Sequence, residues 1–257
     1  MLILFFILFL GKIEGAQCQA IQSKEGIISA FTGRVPQEWG TAVKGVKTRL
    51  KTDQKVLALT FDACGGSQSG NGYDAKLIKY LEDEKIPASL FISGRWMKKN
   101  LDILHNLAKK PLFEIENHGL KHKPCSVNGR SVYGIEGTRS VSELVDEIEQ
   151  NGIKIQNLTG RKPKFYRPAT AYCDEICVEV ANALGYEVVN FSVLGDAGAT
   201  YSKKQVKEAL LNAPPSSIVL MHMNHPEGET ADGLIEAIPE LKKRGFRFVK
   251  LTEYGLR

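Results

Sequence analysis

Polar residues stand directly after apolar runs at five places in this 257-residue chain, and their types suit hydrolytic chemistry. Asp62 follows Val56-Leu-Ala-Leu-Thr-Phe61 and precedes Cys64-Gly65-Gly66, which puts a carboxylate beside a flexible turn. A helix cap is the plainer use of such an aspartate. His118 and His122 follow Phe113-Glu-Ile-Glu116, and a spacing of four predicts both imidazoles on one face of a helical turn, an arrangement that suits a divalent cation. His222 follows Ile218-Val-Leu-Met221, and Arg167 and Asp196 occupy similar positions. One such placement carries little weight; the set carries more. Asn224 and His225, next along the chain, read equally as a pocket wall or a solvent-facing loop, and His105 reads as a surface or packing residue.

The elements that must position these residues alternate. Residues 56–61, 88–93, 113–116, 164–167, 187–192, 217–221 and 246–249 read as short buried strands. Between them, Val141, Leu144, Val145 and Ile148 follow helical spacing behind a Ser140/Glu143 capping box. Ser202 and Gln205 repeat that start signal before Val206 and Leu210, and Leu234, Ile238 and Leu241 mark a last helix. Alternation of this kind predicts an α/β fold of parallel strands with helices outside, either a barrel or an open doubly wound sheet. In both, function sits in loops at the carboxyl ends of the strands.

Thr60-Phe-Asp62, His118-x-x-x-His122, Arg167-Pro168, Asp196 and Leu220-Met-His222 resemble, in order and approximate spacing, the five motifs of the polysaccharide deacetylases, the NodB-like carbohydrate esterases. The match runs from about Val56 to Leu251. The resemblance implies a distorted (β/α) barrel of about seven strands and a zinc ion, or cobalt or manganese, bound by His118, His122 and an aspartate. Its implied substrate is an N-acetylated polysaccharide such as peptidoglycan or chitin. It also implies Asp62 as general base, His222 as general acid, Arg167 as the ion-pair partner of the base, and Asp196 as the residue biasing the charge of His222.

The chain departs from that family pattern at three places. Ala63 replaces a second, metal-binding aspartate; Asp62 is expected to take the metal itself, with the Cys64 thiolate and Asp74 as alternatives. Gly119 replaces a small hydroxyl residue, and Ala169, Thr170 and Ala197 change the expected pocket walls. A catalytically inactive polysaccharide-binding protein on the same fold is the rival reading, ahead of an amidase acting on small cyclic amides. Retention of Asp62, Arg167 and His222 favours catalysis, because binding alone needs no paired base and acid.

A hydrophobic content of 43% is enough for one large α/β domain, or equally for two small ones. The net charge of +5 is scattered, which argues against nucleic acid and is compatible with an acidic wall polymer. The apolar run over residues 1–10 reads as a signal-peptide core with a cut after Ala20, or else as an uncleaved membrane anchor; both predict a secreted or periplasmic, cell-envelope location. Residues 21–50 then form a lead-in segment and 51–257 the catalytic domain. Cys64, Cys125, Cys173 and Cys177 remain, an even number in an oxidising compartment, so disulfides are expected near the chemical segments, with three pairings open.

Overall fold

The structure is a computed structural model that describes residues 23–257, so the expected signal segment and its cut lie outside the described residues. Its elements run α1 (Lys24–Phe31), β1 (Val56–Ala63), α2 (Ala75–Asp83), β2 (Ala88–Ile92), α3 (Gly94–Lys99), α4 (Leu101–Ala108), β3 (Phe113–Asn117), a hairpin of β4 (Ser131–Val132) and β5 (Ile135–Glu136), α5 (Val141–Thr159), β6 (Phe165–Tyr166), α6 (Glu175–Ala183), β7 (Glu187–Val188), β8 (Val193–Leu194), α7 (Lys203–Leu211), β9 (Ser217–His222), α8 (Thr230–Lys243) and β10 (Arg247–Val249). No helix among the described residues is long and apolar enough to cross a membrane.

Every residue of β1 and β2 is buried, as parallel strands covered on both faces must be. The strand order is β7-β6-β3-β2-β1-β9-β8, with β10 against the first half of β1, and every ladder in this sheet is parallel. This is the distorted (β/α) barrel the resemblance implies, with β7 and β8 as its two edges.

Period-two alternation divides β1 between two cores. Leu57, Leu59, Phe61 and Ala63 pack outward with Leu77, Trp96 and Leu234 of the surrounding helices. Val56 and Ala58 pack inward with Phe91, Phe165, Ile218 and Val249. Thr60 and Asp62 continue the inward face to the carboxyl end of the strand. The sequence therefore aims Asp62 into the mouth of the barrel by parity.

Helix starts follow their predicted caps. Ser202 and Gln205 close a full capping box. Ser140 accepts from the Glu143 amide, but the Glu143 carboxylate reaches the Arg139 amide and Lys123 instead of closing the box. Asp74, an alternative metal ligand on sequence grounds, instead caps α2 through the Leu77 amide. Of the run expected as one strand over 187–192, only Glu187–Val188 is strand; the backbone then pairs with Lys47, and β8 starts beyond the run at Val193. The lead-in also carries α1, capped by Ser23, whose Ile27 packs against α5 and α6.

Candidate active site

The Arg167 guanidinium is fully buried and spends its donors inside the barrel. Its Nη1 donates to Asp62 Oδ1 at 2.8 Å and to Thr60 Oγ1 at 2.9 Å, while Nε and Nη2 donate to the carbonyls of Val189 and Asn190, each at 3.1 Å. Its Cζ lies 4.1 Å from the Phe91 ring centroid. A guanidinium held on all sides fixes the carboxylate it touches. Asp62 keeps Oδ2 free of this pair, 3.5 Å from His118 Nε2.

Nδ1 of His118 lies 2.8 Å from the Arg167 carbonyl oxygen. A carbonyl can only accept, so Nδ1 carries a proton, and Nε2 faces Asp62 Oδ2 and Cys64 Sγ. His122 is 8% exposed, and its Nε2 is buried with no hydrogen-bond partner. The two rings stand edge to face with centroids 4.8 Å apart.

The histidine pair is brought together as predicted, but not by a helical turn. Gly119 and His122 have φ of +79° and +55°, left-handed values that break a helix. A buried carboxylate on α5 holds this turn instead: Glu147 accepts from the Lys121 amide with both oxygens at 2.9 Å and from the Lys123 amide at 3.1 Å. A Cβ on Gly119 would lie 2.5 Å from Glu147 Oε1, so the residue that departs from the family pattern is the one this carboxylate leaves room for. One turn further along α5, Asn151 donates to Asn117 Oδ1 at 2.7 Å, and the same oxygen accepts the Gly119 amide at 2.9 Å. Sequence reasoning missed Glu147 and Asn151. Their signal was present, as two polar residues four apart beside the apolar face of Leu144, Val145 and Ile148.

Cys64 is free and lies with its Sγ 3.7 Å from His118 Nε2. Burial alone would raise its thiol, but the charge on His122 and hydrogen bonds from the histidines around it outweigh burial and hold it well below the usual thiol value. Ligand atoms of Cys64, His118 and His122 all lie within 4.8 Å of one another, the one such group of His, Cys, Asp or Glu among the described residues. Cys125 and Cys177 form a disulfide, while Cys173 is buried and free. That bond fastens α6 to the segment following the histidine turn.

His222 donates through Nδ1 to Asp196 Oδ1 at 2.9 Å, and its own amide donates to Asp196 Oδ2 at 2.6 Å. Thr230 adds a hydroxyl to Oδ2 at 3.0 Å. Burial disfavours the imidazolium, yet the Asp196 charge and hydrogen bond overcome it and hold His222 well above the ordinary imidazole value. Asp62, Cys64, His118, His122 and His222 line one groove of about 460 Å³, walled by Leu194 and Leu220. Asn224 is buried and ties to the Gly70 carbonyl at 2.8 Å, His225 pairs with Glu227, and neither lines the groove. His105 is exposed on α4. At the rim, Tyr172 contacts both Trp39 and the hairpin residue Tyr133, which is 77% exposed.

The chain matches the family model described as polysaccharide deacetylase over residues 49–189. It is 25% identical over 207 residues to the peptidoglycan-N-acetylmuramic acid deacetylase PdaA of Bacillus subtilis, covering 79% of this chain and 72% of that one. The solved structure of PdaA, a family 4 carbohydrate esterase, superimposes with a TM-score of 0.68 at 21% identity, over 90% of this chain and 87% of that one. A peptidoglycan-N-acetylglucosamine deacetylase of Bacillus cereus is 24% identical over 212 residues, 81% of this chain and 92% of that one. A family 4 pseudoenzyme from Bacillus anthracis shares the fold at a TM-score of 0.68 and 22% identity, over 80% of this chain and 67% of that one. With more than half its length matched, the chain belongs to the polysaccharide deacetylase family.

Proposed function

We propose that this protein is a metal-dependent hydrolase that removes N-acetyl groups from a cell-envelope polysaccharide, peptidoglycan in the first instance. The observation that carries this reading is the pair of buried ion pairs at one barrel mouth, Asp62 with Arg167 and His222 with Asp196, beside His118 and His122, whose ligand atoms lie within 4.8 Å of each other and of Cys64 Sγ. A glycan-binding protein without turnover has no use for a carboxylate and an imidazolium each held by its own counter-charge.

The residues present fit a cation. The buried, unpartnered Nε2 of His122 and the Nε2 of His118, whose Nδ1 is turned to the Arg167 carbonyl, are nitrogens such an ion could take. A zinc, cobalt or manganese ion held there would supply Lewis-acid polarisation of the acetamide carbonyl and would lower the pKa of water.

The remaining chemistry belongs to the chain. Asp62, its Oδ1 fixed by Arg167, takes the proton of the attacking water with Oδ2. His222, kept as imidazolium by Asp196, delivers a proton to the sugar nitrogen as the carbon–nitrogen bond breaks. No covalent intermediate is needed. Leu194 and Leu220 give the acetyl methyl an apolar wall, and Tyr133 and Tyr172 offer ring faces to neighbouring sugars. The relatives named for peptidoglycan deacetylation support the substrate class, and an envelope location follows from that substrate.

The competing reading, a glycan binder, is favoured by Ala63 and by the existence of a pseudoenzyme with this fold. Acetate release from peptidoglycan by the wild type, lost in both Asp62→Asn and His222→Ala, decides between them. Glycan binding that survives in all three proteins with no acetate released identifies a binder.

A further inference from the structure

We propose that the Cys64 thiolate is the third protein ligand of the metal site, completing a Cys64, His118, His122 set and leaving Asp62 as base alone. The proposal rests on the metal-dependent reading above and names the ligand that replaces the absent second aspartate.

Strand parity places Cys64. Residues 60, 62 and 64 alternate with 61 and 63 along and just beyond β1, and Ala63 packs outward into the core between sheet and helices, fully buried. A side chain at 63 therefore points away from the histidines. Position 64 returns to the inner face, where Sγ lies 3.7 Å from His118 Nε2. The loop is pinned there: the Ser93 hydroxyl donates to the Cys64 carbonyl, and Gly65, with φ of +72°, passes against the backbone at Arg95 and Trp96 too closely for any side chain.

The spacing suits one ion. Zinc bonds of about 2.3 Å to sulfur and about 2.0–2.1 Å to nitrogen, at tetrahedral angles, separate sulfur from nitrogen by roughly 3.5 Å. The observed 3.7 Å needs almost no adjustment, and the whole triad falls within 4.8 Å. All three donors are free to bind: His118 is oriented by the Arg167 carbonyl, His122 Nε2 has no partner, and Cys64 is outside the disulfide. Asp62 keeps Oδ2 within 3.5 Å of His118 Nε2, but it falls outside the group whose ligand atoms all lie within 4.8 Å of one another, and its Oδ1 is committed to Arg167. Three protein ligands leave a fourth position open, the arrangement of catalytic rather than structural zinc. A thiolate also shifts preference toward softer ions, so zinc, cobalt and cadmium should bind in preference to manganese or magnesium.

Cobalt(II) tests this without reference to activity. Reduced, metal-stripped full-length protein, and its C64S, C64D, D62N and H118A variants, are titrated with cobalt under argon and followed by absorption. Wild type and D62N should show visible ligand-field bands of a tetrahedral ion together with an intense near-ultraviolet thiolate-to-cobalt charge-transfer band. C64D should retain the visible bands without the charge-transfer band, and C64S should bind at least about tenfold more weakly and also lack it. H118A should lose both. Ligand-field bands in wild type with no charge-transfer band, unchanged by C64S and abolished by D62N, would overturn the thiolate assignment while leaving the metal reading intact. Wild-type protein that takes up no cobalt, zinc or cadmium would overturn both.

Discussion

Asp62 and His222 are register partners in the ladder between β1 and β9, so a carboxylate and an imidazole stand abreast at the carboxyl ends of neighbouring strands. Parallel strands lie about 4.8 Å apart. Two such groups left to themselves would neutralise each other. Here Arg167 pairs with Asp62 and Asp196 with His222, so each has a counter-charge of its own.

Loss of His222 should therefore damage the step that needs an acid. His222→Ala should retain fold and metal and lose about two or more orders of magnitude in kcat on an N-acetylated glycan. Hydrolysis of 4-nitrophenyl acetate should suffer far less, because that leaving group needs little protonation. Equal losses on both substrates would leave His222 as a positioning residue only.

The alkaline limb of the pH–rate profile reports the same group. In the proposed role His222 acts protonated, and Asp196 raises its folded-state pKa, so activity should persist above the ordinary imidazole value of about 6.5 and fall as pH rises through the raised value. Asp196→Asn removes the charge and should move that limb downward. A limb that stays in place would assign it to another group.

Arg167 should prove structural and catalytic together. Arg167→Gln leaves the Asp62 carboxylate buried without its partner, at a cost of about 3–5 kcal/mol in urea unfolding. Asp62→Asn with Arg167→Gln should recover part of that loss, since no unpaired charge remains. A single variant within about 1 kcal/mol of wild type would contradict the account of this pair.

Much of this site was legible in the sequence, because strand parity and the ends of apolar runs are local properties. Asp62, His118, His122, Arg167, Asp196 and His222 were placed by the runs that precede them. The conformation between His118 and His122 was not, since it depends on Glu147 crossing from a helix whose approach no local pattern encodes. The β4–β5 hairpin escaped for a related reason: two-residue strands carry too little periodicity to register. The cysteine pairing was likewise open until the fold set Cys125 beside Cys177 and left Cys64 among the histidines.

Glu147 gives that missed feature a test. Glu147→Ala removes the acceptor of the Lys121 and Lys123 amides and should loosen the histidine turn, weakening zinc affinity by about 10–100-fold with little change in global fold. Gly119→Ala should do likewise, through the contact with Glu147 and the positive φ. Unchanged zinc affinity in both would show that the turn holds itself.

The aromatic rim should act on substrate rather than chemistry. Tyr133→Ala should raise KM on glycan chains a few-fold, corresponding to about 0.5–1.5 kcal/mol of lost ring contact, and leave 4-nitrophenyl acetate hydrolysis unaltered. A matching loss on the small ester would place the effect in the groove itself.

The most direct measurement is acetate release from purified peptidoglycan by zinc-loaded or cobalt-loaded wild-type protein, followed alongside the appearance of free amines. Acetate and amine should appear in equal amounts, stop on addition of a chelator, and resume when the cation is restored. A fully metal-loaded protein that binds the glycan and releases no acetate, from peptidoglycan or from chitin oligosaccharides, would contradict the account.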